Sequence, residues 1–377
     1  MTNPIQVIRN VYNIEKSVRD NGNYLNDDKI TDLLKLTLND EELISKYPRF
    51  KKGYAAEDLF MRIFSLLPWV KNVVPLGQEQ FPENSKETTQ VPDYEIIFEA
   101  GSKTNTSNIL IEVKLVDNEK QTLELQNYKY KVLQEYSKQK NTPLLFAIFW
   151  RKYWTWTINS IENFSPKKSS YKINFEKAAL NDLSAIFGDY TYLFKNKFFR
   201  RSIFTTEETT KTDYIHKHKK YGLTIYEGLS LDGKDFKQIT NIEPAVLDCA
   251  FTLTEIDHKK ISDTDTEIIE QPKNLTYIHK LSSLILKYLY KMSCYDTKDM
   301  YYENNYLVTK AFDIIDTVRR ECGGERFYLI PYDINETATK VFNLQFSNAS
   351  HILNAYKNVQ RTKGYKIIVS HEVPVKY

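Results

Sequence analysis

VPDYEIIF (residues 91–98) and NILIEVKLV (residues 108–116) are the two segments that say most about the architecture of this chain. Both are dense in β-branched and aromatic residues, and turn-forming residues fill the gap between them, so they predict a β-hairpin. Side chains alternate across a strand, which places Glu112 and Lys114 together on one face of the second strand. An acid and a base are unusual there, because such positions normally hold core or neutral residues.

The segments around the hairpin predict a mixed sheet flanked by helices. An amphipathic helix is predicted over residues 53–68, where apolar residues recur at helical spacing. After the hairpin come a predicted helix over residues 121–141 and predicted strands over residues 143–150 and 153–158. The strand at 143–150 shows no alternation, as expected of a strand that is buried on both faces. The helix would cross over and bring that strand alongside NILIEVKLV.

A length of 377 residues favours two domains. We predict three segments. A small helical lead-in covers residues 1–48, a first α/β domain covers residues 49–205, and a second, C-terminal α/β domain covers residues 210–377. The polar stretch TTEETTKT (residues 205–212) marks the predicted boundary. The expected fold class is therefore α/β.

The overall composition excludes several classes of protein. The 52 basic and 49 acidic residues nearly balance, so a nucleic-acid surface would have to be local. Three widely spaced cysteines without CxxC spacing argue against a disulfide framework and for a reducing compartment. No signal-like segment and no run of about 18 apolar residues occurs, so we expect a cytoplasmic protein without membrane spans. Phosphate-loop and dinucleotide-binding motifs are also absent.

Asp93, Glu112 and Lys114 are the residue types that phosphodiester hydrolysis requires. The reaction needs charge neutralisation at the phosphate, an activated water and stabilisation of the developing negative charge. Mg²⁺ takes oxygen ligands and keeps several waters, so one or two carboxylates and a carbonyl are an adequate protein share. We predict Asp93, Glu112 and the Val113 carbonyl as ligands of Mg²⁺ or Mn²⁺. Lys114 would orient or help deprotonate the water, and Glu57 would bind a second ion or a metal-bound water.

Simpler interpretations exist for each of these residues. Asp93 could be a turn residue at a strand entry, and Glu112 with Lys114 could be a solvated pair on an edge strand. The apolar context of NILIEVKLV favours a central strand instead, where an unpaired charge is costly. Glu57 could be a solvated helix residue, and Tyr130 on the following helix could serve in packing.

The motif Pro92-Asp93, followed after nineteen positions by Glu112-x-Lys114, resembles the PD-(D/E)xK nuclease superfamily. The resemblance covers residues 50–158 and implies a restriction-endonuclease-like sheet with a core order of αβββαβ. Only two strands are evident before the 121–141 helix, unless residues 75–83 supply a short first strand.

Two neighbouring helices extend the resemblance. The segment KKGYAAEDLF (residues 51–60) is similar to the first helix of restriction-endonuclease-like and Holliday-junction-resolvase-like members, whose Glu often joins the metal site; here that residue is Glu57. Gln126-x-x-x-Tyr130 is similar to the QxxxY element of RecB-type nucleases. The resemblance implies that Gln126 and Tyr130 help to position the substrate strand and the catalytic Lys114. Their i, i+4 spacing would place both on one helix face.

The resemblance implies a Mg²⁺-dependent nuclease that acts on DNA, with restriction or anti-phage defence as the expected biological setting. The preference for DNA over RNA rests on the resemblance alone. A homodimer is expected if both strands of a duplex are cut. The alternatives are a ribonuclease, a structure-specific resolvase, or a non-catalytic nucleic-acid-binding or assembly protein that keeps the nuclease fold.

A second group of basic residues follows the predicted first sheet. Lys195, Lys197, Arg200 and Arg201 interleave with phenylalanines, a composition that suits phosphate binding and base stacking. We predict these four residues as substrate-binding. A solvated face over a small aromatic cluster is the alternative interpretation.

Overall fold

The computed structural model describes residues 4–21, 23–77, 80, 82–102, 105–189, 191–194, 198–207, 217–239, 244, 247, 248, 251–273, 277–293, 325–331, 359–362 and 365–369. The fold is mixed α/β, with sheets flanked by helices. Two compact units are distinguished by their internal contacts. The first comprises Met1–Asp189 and Leu329–Ile368, and the second comprises Tyr190–Tyr328 and Val369–Tyr377.

The first unit begins with four helices and continues into alternating strands and helices. The helices are α1 (Pro4–Asp20), α2 (Asp27–Thr37), α3 (Glu41–Ser45), α4 (Tyr47–Phe64), α5 (Asn127–Lys140) and α6 (Phe175–Leu180). The strands are β1 (Val70–Pro75), β2 (Tyr94–Ser102), β3 (Asn105–Val116), β4 (Thr122–Gln126), β5 (Leu144–Trp150), β6 (Thr155–Asn159), β7 (Ser165–Pro166) and β8 (Ser170–Asn174).

The main sheet of this unit has the strand order β1-β2-β3-β5-β6. Strands β2 and β3 form the predicted antiparallel hairpin, and β3 pairs in parallel with β5, to which α5 carries the chain across. Apart from β4, which lies between β3 and α5 and belongs to another sheet, the order α4, β1, β2, β3, α5, β5 is the αβββαβ order that the resemblance implies. Its first strand is β1, which ends at Pro75, so the alternative over residues 75–83 is wrong.

The core of the first unit lies on both faces of this sheet. Between α4 and the sheet, Phe60 stacks on Phe64 with ring centroids 4.2 Å apart, and both meet the edge of Trp156. On the other face, Leu133 of α5 packs in a cluster with Trp150. Every residue of β5 after the first is buried, which confirms the prediction made from its missing alternation.

The predicted helix over residues 121–141 is wrong at its first turn. Residues Thr122–Gln126 form β4, which pairs antiparallel with β8, and α5 begins only at Asn127. Leu123 and Leu125 are buried while the residues around them are not, which is the period-2 pattern of a strand. Gln126 is therefore the N-cap residue of α5, and it does not share a helix face with Tyr130.

The predicted helical lead-in is part of the first unit. Helices α1 and α2 pack on α4 through a common buried cluster that includes Ile8, Val11, Ile30, Leu34 and Tyr54. These helices bury apolar stripes at helical spacing, and α4 supplies the surface that covers them. A separate domain over residues 1–48 is therefore not observed.

Within the described residues, the second unit consists mainly of antiparallel strands. Its larger sheet has the order β11-β12-β10-β15-β14, with β13 beside β12, and β9 pairs with β16 and β17. The ranges are β9 (Thr191–Phe194), β10 (Phe199–Thr205), β11 (Lys217–His218), β12 (Gly222–Ser230), β13 (Lys237–Gln238), β14 (Leu253–Lys260), β15 (Asp265–Pro272), β16 (Tyr277–Lys280), α7 (Leu281–Ser293) and β17 (Glu325–Pro331). Strands β18 (Val359–Thr362) and β19 (Tyr365–Val369) pair with each other, and their residues up to Ile368 are counted with the first unit.

The division between the units falls earlier than the sequence predicts. Strand β10 pairs on one side with β12 and on the other with β15, so it is a central strand of the second unit. The first segment of the first unit ends at Asp189, whereas the sequence predicts an unbroken first domain up to residue 205. The only glycine or proline in residues 181–204 is Gly188, next to that boundary, and a single glycine is a weaker signal than the polar stretch at residues 205–212. The segment YLVTKAFDIIDTVRREC (residues 306–322), whose sequence predicts a helix in the C-terminal domain, lies outside the described residues.

Among the helices that the structure describes, none is both long enough and apolar enough to span a membrane.

Candidate active site

Asp93 stands at the entrance of β2 and is fixed by both its main chain and its side chain. Its carbonyl accepts a hydrogen bond from the Leu76 amide just beyond β1 (3.0 Å), and its Oδ2 accepts one from the Val113 amide (2.8 Å). Val113 lies between Glu112 and Lys114 in β3. The structure therefore brings the three residues of the predicted motif together at the point where β1, β2 and β3 meet.

Glu112 and Lys114 form an ion pair on one face of β3. Lys114 Nζ lies 2.5 Å from Glu112 Oε1 and also donates to the Val113 carbonyl at 3.2 Å. Glu112 is only 5% exposed, which is unusual for a glutamate. Its second oxygen, Oε2, is buried and has no hydrogen-bond partner among the described residues. A central strand thus carries a carboxylate oxygen whose hydrogen-bonding capacity is unused.

Glu57 reaches the same region from α4. The Tyr94 hydroxyl donates to the main-chain carbonyl of Glu57 (3.0 Å), which ties α4 to the strand that begins beside Asp93. The Glu57 carboxylate forms an ion pair with Arg9 of α1, with 3.0 Å between Oε2 and Nη2. The sequence predicts that Glu57 binds a second ion or a metal-bound water, and that role stays a prediction.

Arg9 is the charged residue of this site that sequence reasoning missed. Its guanidinium lies over the ring of Tyr54, 5.0 Å from the centroid, and its Nη1 is buried without a hydrogen-bond partner in the described part of the chain. The only signal in the sequence is its position next to Ile8, on the border of the apolar stripe of α1. A basic residue at such a border is usually solvated, so the pattern alone does not identify it.

The charges of the cluster influence one another strongly. Burial raises the pKa of Glu57 to about 7, although Arg9 and Lys114 oppose the shift. Burial, together with the nearby Glu112 and Glu57 carboxylates, holds the pKa of Asp93 well above its usual value. Burial lowers the pKa of Lys114, but its attraction to Glu112 and Asp93 is larger in sum and leaves that pKa raised. Three acids against two bases make a site that favours additional positive charge.

The donor atoms of the site suit a single hard cation held by two carboxylates. This is a smaller ligand set than the four residues predicted from sequence. No group of three or more His, Cys, Asp or Glu side chains in the described ranges is arranged to hold a metal ion. Asp93 and Glu112 remain as two carboxylates, one with an unpartnered buried oxygen, and Mg²⁺ needs no more than one or two. The Val113 carbonyl accepts from Lys114, and Glu57 faces Arg9.

The two residues of the predicted QxxxY element have separate environments. Gln126 is exposed at the end of β4, and its side chain makes no capping hydrogen bond to α5. Tyr130 packs against Phe146 and Tyr171, with ring centroids 6.4 and 5.3 Å away. Tyr130 is thus a packing residue of the α5 face, and a contact of either residue with substrate stays a prediction.

The predicted basic group after residue 190 belongs to the second unit. Lys195 and Lys197 lie outside the described residues. Arg200 forms ion pairs with Asp248 and Glu270, both at 2.7 Å, and Arg201 pairs with Glu267. Both arginines therefore neutralise acids of their own neighbourhood, which leaves less of their charge for a phosphate.

Comparisons with known proteins give little beyond this geometry. No protein-family model and no curated protein matches the chain. One solved structure to which it is similar is a Holliday junction resolvase from the archaeal hyperthermophile Archaeoglobus fulgidus, with 16% sequence identity and a TM-score of 0.27. That similarity covers 36% of this chain and 96% of the resolvase chain.

Proposed function

We propose that the first unit is a divalent-metal-dependent nuclease that hydrolyses phosphodiester bonds at Asp93, Glu112 and Lys114. The observation that carries the proposal is the hydrogen bond from the Val113 amide to Asp93 Oδ2, because it joins the aspartate to the strand segment that bears Glu112 and Lys114. Two buried carboxylates and an ammonium then face one another on a rigid sheet. Preorganised charge of this kind is what stabilises a phosphoryl transition state.

Each residue of the cluster has a definite task in this proposal. Asp93 and the unpartnered oxygen of Glu112 would hold the cation. A hard cation such as Mg²⁺ or Mn²⁺ supplies positive charge for the phosphate and lowers the pKa of water. Lys114 keeps its proton in this arrangement, which favours donation to a phosphate oxygen over action as a base. Its Nζ needs little movement to do so, since its partners Glu112 Oε1 and Val113 O lie at the same site.

DNA is the substrate we favour, on the strength of the motif resemblance, and host defence is the setting that the resemblance suggests. RNA is the first alternative, because the chemistry at the phosphate is the same for both. A binding protein without activity is the second. The charged cluster supports catalysis over binding alone, because a binding surface has no need of buried acids beside a phosphate.

The test is a cleavage assay with purified full-length protein on linear duplex DNA, single-stranded DNA and RNA, with Mg²⁺, Mn²⁺ or EDTA. We expect cleavage of at least one substrate that requires the metal. Asp93→Asn and Lys114→Ala should each reduce the rate at least about 100-fold, as expected when electrostatic stabilisation of a transition state is removed.

A matched pair of variants controls for general effects of charge. Glu124 and Lys172 form an exposed ion pair of 2.9 Å in the β4–β8 sheet of the same unit. Glu124→Gln and Lys172→Ala should cleave at the wild-type rate, and circular dichroism should show that all variants are folded. Equal activity of wild type, Asp93→Asn and Lys114→Ala on every substrate would refute the proposal.

A further inference from the structure

We propose that Arg9 is a built-in cation that takes the position beside Glu57 where a second metal ion would otherwise bind, so that the site holds one divalent ion. This inference rests on the proposed nuclease function and adds to it the number of ions and a role for α1. Arg9 is a positioning residue in this account, because it acts through Glu57.

The place of Arg9 is determined by packing. Its neighbour Ile8 is fully buried, and α1 is held against α4 by a shared apolar cluster. The guanidinium is further fixed by the Tyr54 ring on one side and by Glu57 on the other. With 28% of its side chain exposed, Arg9 is more enclosed than a surface arginine, so it is a stable element of the site.

Residues of helix α1 also bind the other carboxylate that could complete a second metal site. Asp58, next to Glu57 on α4, accepts a hydrogen bond from the Tyr12 hydroxyl (2.8 Å) and pairs with Lys16 Nζ (2.7 Å). Two basic residues of α1, Arg9 and Lys16, thus neutralise the two consecutive acids of α4. This pairing agrees with the absence of any group of three metal-ligating side chains within the described residues.

The charge balance of the site favours one divalent ion over two. Three ionised carboxylates, Glu57, Asp93 and Glu112, face two cations, Arg9 and Lys114, which leaves one negative charge. One divalent ion and one phosphodiester bring the assembly to neutrality. A second ion would leave two positive charges in a largely buried site, where uncompensated charge is costly. Without Arg9 the same count leaves room for further positive charge beside Glu57.

The experiment is a count of bound Mn²⁺ per chain at pH 8, by equilibrium dialysis and by electron paramagnetic resonance of the unbound ion. We expect one ion for wild type, for Arg9→Lys and for Glu57→Gln, with affinities within about threefold because Glu57 is not a ligand. Arg9→Gln should bind two ions at saturation. The double variant Arg9→Gln/Glu57→Gln should return to one ion, and Arg19→Gln on the exposed side of α1 should behave as wild type.

Cleavage kinetics give a second measurement. The rate of wild type should rise with the first power of Mg²⁺ concentration below saturation, and that of Arg9→Gln with a power near two. Two ions on wild type, one ion on folded Arg9→Gln, or an affinity loss above tenfold in Glu57→Gln would each overturn the inference. Asp93→Asn separates this failure from that of the nuclease proposal, since unchanged metal binding in that variant contradicts the proposed metal site itself.

Discussion

Within the described residues, two clusters of charged side chains, one in each unit, differ in how completely their buried polar atoms are paired. The cluster of the first unit contains Arg9, Glu57, Asp93, Glu112 and Lys114. The cluster of the second unit contains Arg200, Glu227, Asp248 and Glu270. In the first, Arg9 Nη1 and Glu112 Oε2 are buried without a hydrogen-bond partner, and the buried Glu57 Oε2 has its ion pair with Arg9 but no hydrogen bond of good geometry. In the second, no side-chain atom of the four members is buried and unpartnered in the described structure.

This difference in pairing indicates which of the two clusters can receive a ligand. Buried polar groups are nearly always paired, and each one left unpaired costs roughly 1–3 kcal/mol. Arg200 uses its guanidinium as a fork between Asp248 and Glu270, so its network is complete as folded. The first cluster bears the cost of unpaired atoms, and a bound cation would relieve that cost at the carboxylate oxygen Glu112 Oε2. A complete network stabilises a fold, whereas an incomplete one points to a site.

The largest expected effect comes from the same substitution made in each cluster. Glu112→Gln should lower cleavage at least about 1,000-fold, equivalent to about 4 kcal/mol in the barrier, because a neutral amide neither holds the cation nor pairs with Lys114. Glu227→Gln should change the rate less than about twofold. Initial rates at saturating Mg²⁺ measure both. A similar loss in both variants would remove the distinction between the clusters.

The next effect is on stability and is confined to the second cluster. Arg200→Ala leaves Asp248 and Glu270 without their shared cation and should cost roughly 3–5 kcal/mol, as for other broken buried ion pairs. Arg201, whose side chain is 35% exposed, is the matched control, and Arg201→Ala should cost about 1 kcal/mol or less. Urea unfolding followed by circular dichroism measures both. Equal costs would mean that burial does not distinguish the two arginines.

The parts of the fold that sequence predicts are those whose signal is local. The β2–β3 hairpin follows from two apolar segments around a turn, and the burial of β5 follows from its unbroken apolar run. The meeting of Asp93 with Glu112 and Lys114 then follows, because a hairpin brings its strands into register. These elements needed no knowledge of distant residues.

The parts that sequence does not predict depend on distant partners. The segment Thr122–Gln126 becomes a strand because β8, almost fifty residues later in the chain, pairs with it; locally it also suits a helix. Arg9 enters the site because α1 folds back on α4, and a pattern within α1 cannot report this. Arg200 was predicted to bind phosphates, yet its environment is set by Asp248 and Glu270. Composition indicates a charge but not its partner.

A third prediction concerns the pH dependence of stability. Burial raises the pKa of Glu227 from 4.5 to about 7, with Arg200 opposing the shift. Between pH 4.5 and about pH 7, folded Glu227 keeps a proton that the unfolded state has released. The free energy of unfolding therefore falls as pH rises through this range. Glu227→Gln removes that loss and should be more stable than wild type at pH 8 by up to about 3 kcal/mol, with little difference at pH 4.5. Urea unfolding at both pH values measures it, and a difference that is independent of pH would contradict it.

The smallest expected effect concerns the raised pKa values of the first cluster. In that cluster the buried Glu112 Oε2 has no hydrogen-bond partner among the described residues. The pKa of Glu57 is raised to about 7, so this carboxyl is about half protonated near pH 7 in the metal-free protein, and the pKa of Asp93 is also raised. A divalent ion favours the ionised form of its ligand Asp93 and, through its charge, that of the neighbouring Glu57, so its binding releases protons, and its apparent affinity should rise roughly tenfold per pH unit for each proton released. Calorimetry with Mn²⁺ at pH 6 and pH 8, in buffers of different ionisation enthalpy, measures the release. Glu227→Gln should leave the proton release unchanged, since the complete cluster takes up no ion. An affinity that does not vary with pH would mean that the ion does not bind at Asp93 beside Glu57.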